Sequence, residues 1–279
     1  MNGGQALHGV LGEALAQNAK VHLLGEALEL SPATHGLLER HPERVHLLPA
    51  VDSALTGIAV GMALGGARPV VELAGPQSLH GAIQQLGQEG ASVTGEFSAP
   101  VILRVPIAPG ETIPLSLLLA IPGITVGVAS SALEARDLLV AALDASGPVV
   151  LLEPRWLLDR PLKDAEVLPL GTARVIRPGD HCSLICWGEG VRAAREAADL
   201  LSTEGIEAEV VDLRCLCPLD TDLISESIGR TGRAVMVSPF PGLLDTVFEA
   251  AFLRLESPPL SCTSRAKAIV DTARRSVFY

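Results

Sequence analysis

Residues 57–72 read Gly57-Ile58-Ala59-Val60-Gly61-Met62-Ala63-Leu64-Gly65-Gly66-Ala67-Arg68-Pro69-Val70-Val71-Glu72. Their small, aliphatic run predicts a buried helix over Asp52 to Gly65, followed by a strand over Pro69 to Leu73. Gly57, Gly61 and Gly65 recur every four residues and fall on one helix face. Each glycine costs a helix about 1 kcal/mol relative to alanine, so another backbone is expected to pack closely there.

Working outward, the same alternation repeats. Helix-like Gly4 to Asn18 precedes the strand Val21 to Leu24; Leu37 to Arg40 precedes Val45 to Leu48. Leu79 to Gly90 reads as a polar-faced helix, Val101 to Val105 as a strand, and Ala132 to Leu143 as a helix between strands at Thr125–Val128 and Val149–Leu152. Residues 155 to 180, rich in Arg, Pro and Gly, read as a connector. Beyond it come a strand at Ser183–Trp187, a helix at Val191–Glu204 and a strand at Glu207–Leu213. The helix Asp220–Gly229, the strand Ala234–Val237 and the helix Leu244–Leu255 complete the series. This predicts an α/β protein of two doubly wound domains, 1–165 and 166–279, each a mostly parallel sheet with helices on both faces.

Composition agrees. Of 279 residues 48% are hydrophobic but only 3% aromatic, so the core is aliphatic, as parallel strands require. A formal charge of −11 without a Lys/Arg stripe argues against nucleic acid. The most membrane-like segment, Ala54 to Ala67, is too short to span a bilayer. Five cysteines, an odd number, fit a reducing compartment. No N-terminal targeting pattern is read, and a soluble, cytoplasmic protein is expected. Cysteines at 182, 186, 215 and 217 lack zinc-type spacing, and neither a Gly-x-Ser-x-Gly elbow nor a Gly-x-Gly-x-x-Gly turn occurs.

Residues 57–72, Pro122-Gly123-Ile124 with Pro148 to Pro154, and Val211 to Asp220 with Thr231-Gly232-Arg233 occur in one order. Together they resemble the β subunits of thiamine-diphosphate-dependent 2-oxo acid dehydrogenases, the E1 components of pyruvate and branched-chain type, over roughly residues 5 to 250. The resemblance implies a transketolase-like pyrimidine-binding domain and a C-terminal domain. It implies an α-type partner in an α2β2 assembly, self-association through the Gly57/Gly61/Gly65 helix, and an acyltransferase core as a further partner. A tight intrachain helix–sheet contact also accounts for those glycines. In the family the α chain holds the diphosphate and its magnesium; this sequence has neither the Gly-Asp-Gly motif nor a Gly-Lys-Ser/Thr loop.

The resemblance places the glutamate that faces the cofactor's aminopyrimidine at Asp52, a carboxylate one methylene shorter. A helix N-cap is the other reading of Asp52, and the two can coexist. The family's pyrimidine-packing aromatics fall on Gly75 and Ser78, with His80 nearby as a ring that could substitute or as an ordinary surface histidine. The family's histidine-bearing loop corresponds to Ile107 to Ala120, which has no histidine; beyond residue 100 the chain carries only His181. A monovalent cation held near the helix end before Pro148 has Asp144 as its displaced counterpart, and His-Glu-Ala-Pro is replaced by Ser238-Pro239-Phe240-Pro241. Three readings stay open: a working β subunit, a non-catalytic structural or regulatory relative, and an enzyme repurposed to other chemistry.

Overall fold

The computed structural model describes residues 1–49, 51–87, 99–162, 167–240 and 242–278. Two compact units are formed: Met1–Leu170 with Leu216–Pro218, and Gly171–Cys215 with Leu219–Tyr279. The predicted boundary near 165 lies outside the described residues.

The first unit runs α1 (Gly3–Gln17), β1 (Val21–Gly25), α2 (Leu37–Arg40), β2 (Val45–Leu47), α3 (Asp52–Leu64), β3 (Arg68–Glu72), α4 (Leu79–Gln85), β4 (Ile102–Ile107), α5 (Leu115–Leu118), β5 (Thr125–Val128), α6 (Ala132–Leu143) and β6 (Val149–Pro154). Helix α1 starts where Asn2 and Gln5 exchange side-chain and backbone hydrogen bonds, a capping box. Its Leu7, Leu11 and Leu15 are buried at helical spacing. Strand β6 is buried along its whole length, which is why it reads as an uninterrupted apolar run. The ends of this unit meet: Asn2 and Pro161 form an antiparallel bridge, and the Gly3 amide donates to the Arg160 carbonyl.

The second unit contains β7 (Arg174–Arg177), β8 (Cys182–Cys186), α7 (Glu189–Ser202), β9 (Ala208–Asp212), α8 (Thr221–Thr231), β11 (Ala234–Val237), α9 (Leu243–Ala251), β12 (Leu260–Cys262) and α10 (Ala266–Val277), while β10 (Cys215–Cys217), which follows β9 in the chain, belongs to the sheet of the first unit. The strand orders are β10-β5-β6-β4-β3-β1-β2 and β12-β11-β8-β9-β7. Strand β1 pairs in parallel with β2 and β3, β3 with β4, β6 with β4 and β5, β8 with β9 and β11, and β11 with β12, whereas β7 pairs with β9 antiparallel and is bulged between Val175 and Arg177. The core of the second unit joins β8, β9 and β11 to α7 and α10.

Order fixes where a ligand can enter. From β1 the chain goes outward to β2, and from β3 it goes the opposite way to β4, although β1 and β3 are neighbours. A crevice therefore opens outside their carboxyl ends, the usual ligand position of doubly wound sheets. In the second sheet the corresponding position lies beyond β8 and β11. There Trp187 Nε1 donates to the Ser238 carbonyl at 2.9 Å, and the Trp187 and Phe240 rings meet edge to face.

Several expectations need correction. The connector contains a 3-10 turn at Arg155–Asp159 and strand β7, in which Val175 is exposed, the other residues are half-buried and an arginine stands at each end, so it lacks an apolar run. The segment after Ile107 contains the short helix α5. Trp187 lies beyond its strand, and Cys215–Cys217 forms a strand of its own. The predicted helix to Leu255 ends at Ala251 and tightens into a 3-10 turn. The later part of the helix predicted to Gly90 lies outside the described residues, as does Pro241.

Candidate functional site

The crevice between β1 and β3 is lined by groups from three elements. Glu26 and Ala27 follow β1, Glu72 closes β3 and Leu73 and Ala74 follow it, while Asp52 and Leu55 come from the first turn of α3. They enclose a cavity of about 30 Å³, room for about one water. Three carboxylates and no basic side chain line it.

One of these carboxylates is tied into the sheet. Arg104 of β4 donates from Nη1 to Glu72 Oε2 at 2.7 Å. It also grips Glu153 of β6, Nε to Oε1 at 3.0 Å and Nη2 to Oε2 at 2.7 Å. Arg104 and Glu153 are only 2% and 5% exposed. Burial works against the Arg104 charge, but Glu153 and Glu72 outweigh it and hold the guanidinium above its ordinary value. Burial pushes the Glu72 carboxyl up; Arg104 opposes this and Glu153 adds to it.

Asp52 is not the helix cap. Val51 occupies that position without a side-chain cap bond, and Asp52 is the first helical residue. Its carboxylate lines the cavity, and a carboxylate in a first helical turn is favoured by the helix dipole. Helix α4 packs directly beneath it: a methyl added at Gly81 would stand 3.0 Å from the Ser53 nitrogen and 3.3 Å from Asp52 Cβ. Gly75 is buried in extended backbone beside the Gln77 side chain, and Ser78 is buried just before α4. His80 is exposed, with Nδ1 3.2 Å from the Gln77 carbonyl, and none of Gly75, Ser78 and His80 is among the cavity-lining residues. The structure thus brings Asp52 together with Glu26 and Glu72, which sequence reasoning missed as site residues. Glu72 carried a signal, a carboxylate ending an apolar strand; Glu26 is recognisable only once β1 and β3 are known to be neighbours.

The three glycines of the opening stretch have different surroundings. Gly57 faces the end of the Gln85 side chain, Gly61 is exposed with nothing within 4 Å of an added methyl, and Gly65 follows the helix as its C-cap. At the end of α6, Asp144 is exposed, and Arg68 Nη1 donates to the Ala145 carbonyl at 2.7 Å. A cation seeking that carbonyl would meet a guanidinium. Among the described residues no three or more His, Cys, Asp or Glu side chains are grouped to hold a metal ion. Among them also, no helix is long and apolar enough to cross a membrane.

A crevice at a topological switch point, in the first of two sheet domains, is where doubly wound α/β proteins place a ligand. The family model for the transketolase pyrimidine binding domain matches residues 1–161, and that for the transketolase C-terminal domain matches residues 171–265. The chain is 30% identical to the pyruvate dehydrogenase E1 component subunit beta of Acholeplasma laidlawii, across 93% of this chain and 88% of that one. It is 35% identical to the mitochondrial subunit beta-2 of that component in Oryza sativa, across 91% and 76%. With the 2-oxoisovalerate dehydrogenase subunit beta of Bacillus subtilis it shares 31%, across 84% and 77%. A solved structure described as a split-gene transketolase, inactive beta4 tetramer, superposes with a TM-score of 0.85 over 100% of this chain and 98% of the other, at 22% identity. The chain belongs to the family of β subunits of thiamine-diphosphate-dependent 2-oxo acid dehydrogenases.

Proposed function

We propose that this chain acts as the β-type subunit of a two-chain 2-oxo acid dehydrogenase, with Asp52 turned toward the pyrimidine end of thiamine diphosphate, a ring larger than the 30 Å³ cavity, so that an α-type partner would complete its pocket. One observation carries the reading: the switch-point crevice is lined by three carboxylates and no cation. Such a lining suits the basic nitrogen and amino group of a pyrimidine and repels a diphosphate. The diphosphate and its magnesium then fall to an α-type partner in an α2β2 assembly. When bound, the cofactor supplies the carbon nucleophile and electron sink for decarboxylation. Asp52 would hold a proton at the pyrimidine ring nitrogen, Glu26 and Glu72 would keep the wall acidic, and Gly75 and Ser78 would border the pyrimidine. On this reading residues 1–165 carry the pyrimidine and 166–279 form the C-terminal domain.

Self-association through α3 is part of the proposal. Ala54, Ile58 and Gly61 form an exposed apolar stripe at helical spacing, flanked by Val51 and Leu64. An acyltransferase core as acceptor and a cytoplasmic location complete it. A second reading, a subunit that keeps these surfaces without chemistry, is favoured by the exposed His80 and by a cavity lining without an aromatic ring. The deciding experiment is co-expression with an α-type chain, then calorimetric titration with thiamine diphosphate and magnesium. Binding with turnover of a 2-oxo acid supports the first reading; an assembled pair that binds nothing supports the second.

A further inference from the structure

Two histidines on the outer strands of the first sheet are joined to each other. His22 Nδ1 of β1 lies 3.1 Å from His46 Nε2 of β2, and both side chains are half-buried. The ring centroids are 5.4 Å apart and the planes differ by 14°. That separation is the one reached when two five-membered rings meet tip to tip through a hydrogen bond of this length; rings stacked face to face would bring their centroids closer. The contact is therefore a straight N–H···N bond with a single proton at the junction.

Strand β2 has few other holds. It is three residues long, lies at the sheet edge and pairs only with β1. Beyond it the Leu48 amide donates to the Gly25 carbonyl at 3.0 Å. Four residues separate Leu47 from Asp52, and Glu26 follows Gly25 directly. The β1–β2 register thus sets two walls of the crevice, those carrying Glu26 and Asp52.

The proton count gives this contact a threshold. The neutral pair has one N–H at the junction. A first added proton goes to the outer nitrogen of the donor ring, and the bond becomes charge-assisted. A second must go to the accepting nitrogen, so that two N–H groups and two charges face each other and the bond is lost. Of the charged groups on these strands and the helices beside them, His46 and Arg44 act on His22. Arg44 itself reaches the Asn18 carbonyl and His41 Nδ1. Burial, then His46 and Arg44, hold His22 below its ordinary value.

We propose that His22 and His46 form a proton-shared latch that positions β2, and through it Asp52, and that opens when the second proton arrives in mild acid. Both are positioning residues, and the link to Asp52 rests on the cofactor reading above, whereas the latch itself does not.

The test uses the full chain. Nitrogen-15 NMR of the imidazoles should show two coupled titrations more than about one unit apart. Amide exchange, corrected for its intrinsic pH dependence, should show protection at residues 45–48 falling about tenfold between neutral pH and pH 5, the scale of one lost hydrogen bond. His46→Phe should remove that pH dependence. Two independent, ordinary histidine titrations would overturn the latch whether or not the variant folds. Protection in the variant that still falls with pH as in the parent would also overturn it. With an α-type partner, His46→Phe should move the acid limb of kcat. If the latch titrates and that limb stays, the positioning link is wrong; if the pair has no activity at all, the cofactor reading fails and the latch stands on its titration.

Discussion

Arg104 and Glu153 face each other through two parallel hydrogen bonds inside the first sheet, and the third arm of the same guanidinium holds Glu72. One cation thus serves two carboxylates on three adjacent strands, β3, β4 and β6. The outer carboxylate is also a wall of the crevice, so the interior of the sheet and the site share one charge network.

Removing the centre of this network should be costly. Arg104→Met leaves two buried carboxylates uncompensated and should destabilise the chain by about 3–5 kcal/mol in urea unfolding. Adding Glu72→Leu and Glu153→Leu should recover most of that loss. A triple variant as unstable as the single one would show that packing outweighs charge.

The pH response of Glu72 has a defined sign. Its folded carboxyl is raised, so the folded state binds more protons than the unfolded one between the ordinary and raised values. Its contribution to stability is therefore full in acid and lost as pH rises through the raised value. Glu72→Gln should be more stable than the parent at neutral pH, with the gain shrinking as pH falls into the ordinary carboxylate range. Paired urea titrations at pH 4 and pH 7 measure it; a gain that grew in acid would contradict the raised carboxyl.

Asp52 separates catalysis from capping. A lost N-cap would cost about 1 kcal/mol, but Asp52 makes no cap bond. Asp52→Ala should therefore change stability by only about 0.5 kcal/mol, the scale of a helix-dipole interaction. Turnover with an α-type partner should fall about a hundredfold or more. Asp52→Glu should raise turnover if the missing methylene limits reach.

Gly61 offers a clean probe of self-association. A side chain there meets nothing in the monomer, and leucine is the better helix former by nearly 1 kcal/mol. Gly61→Leu should leave the monomer at least as stable while reducing association in sedimentation. Unchanged sedimentation would remove α3 from the interface.

Thiol chemistry should divide the five cysteines. Burial pushes Cys182 up to about 12 and holds Cys186 well above the ordinary thiol value, and Cys215 is buried. Cys217 and Cys262 are half-buried, with thiols raised more modestly by the same cause. Native alkylation near neutral pH should label only these two, slowly, and urea should expose all five. Fast native labelling of Cys182 would show that the second core opens.

Local pattern carried much of this fold. The glycine-rich helix α3, strand β3 and the fully buried β6 were readable because their residues agree with the element they form. Strand β7 was not, because a four-residue edge strand with an arginine at each end has no apolar run. The stretch after Leu255 carries no motif, yet Ile269, Val270 and Ala273 of α10 close the second core. Their helical spacing was the available signal. At the site, Asp52 was found through the resemblance, whereas its partners Glu26 and Glu72 depend on β1 and β3 being neighbours. Strand order is a long-range property that no short window contains.

The bridge between Asn2 and Pro161 has a consequence of another kind. Residues 2 and 161 are joined in space, so the path through the six strands β1 to β6 returns to its starting point. A path that closes in this way can be reopened at a surface turn and sealed at its former ends without displacing a strand. The stretch is in that sense a loop of rope, held shut by one backbone bridge.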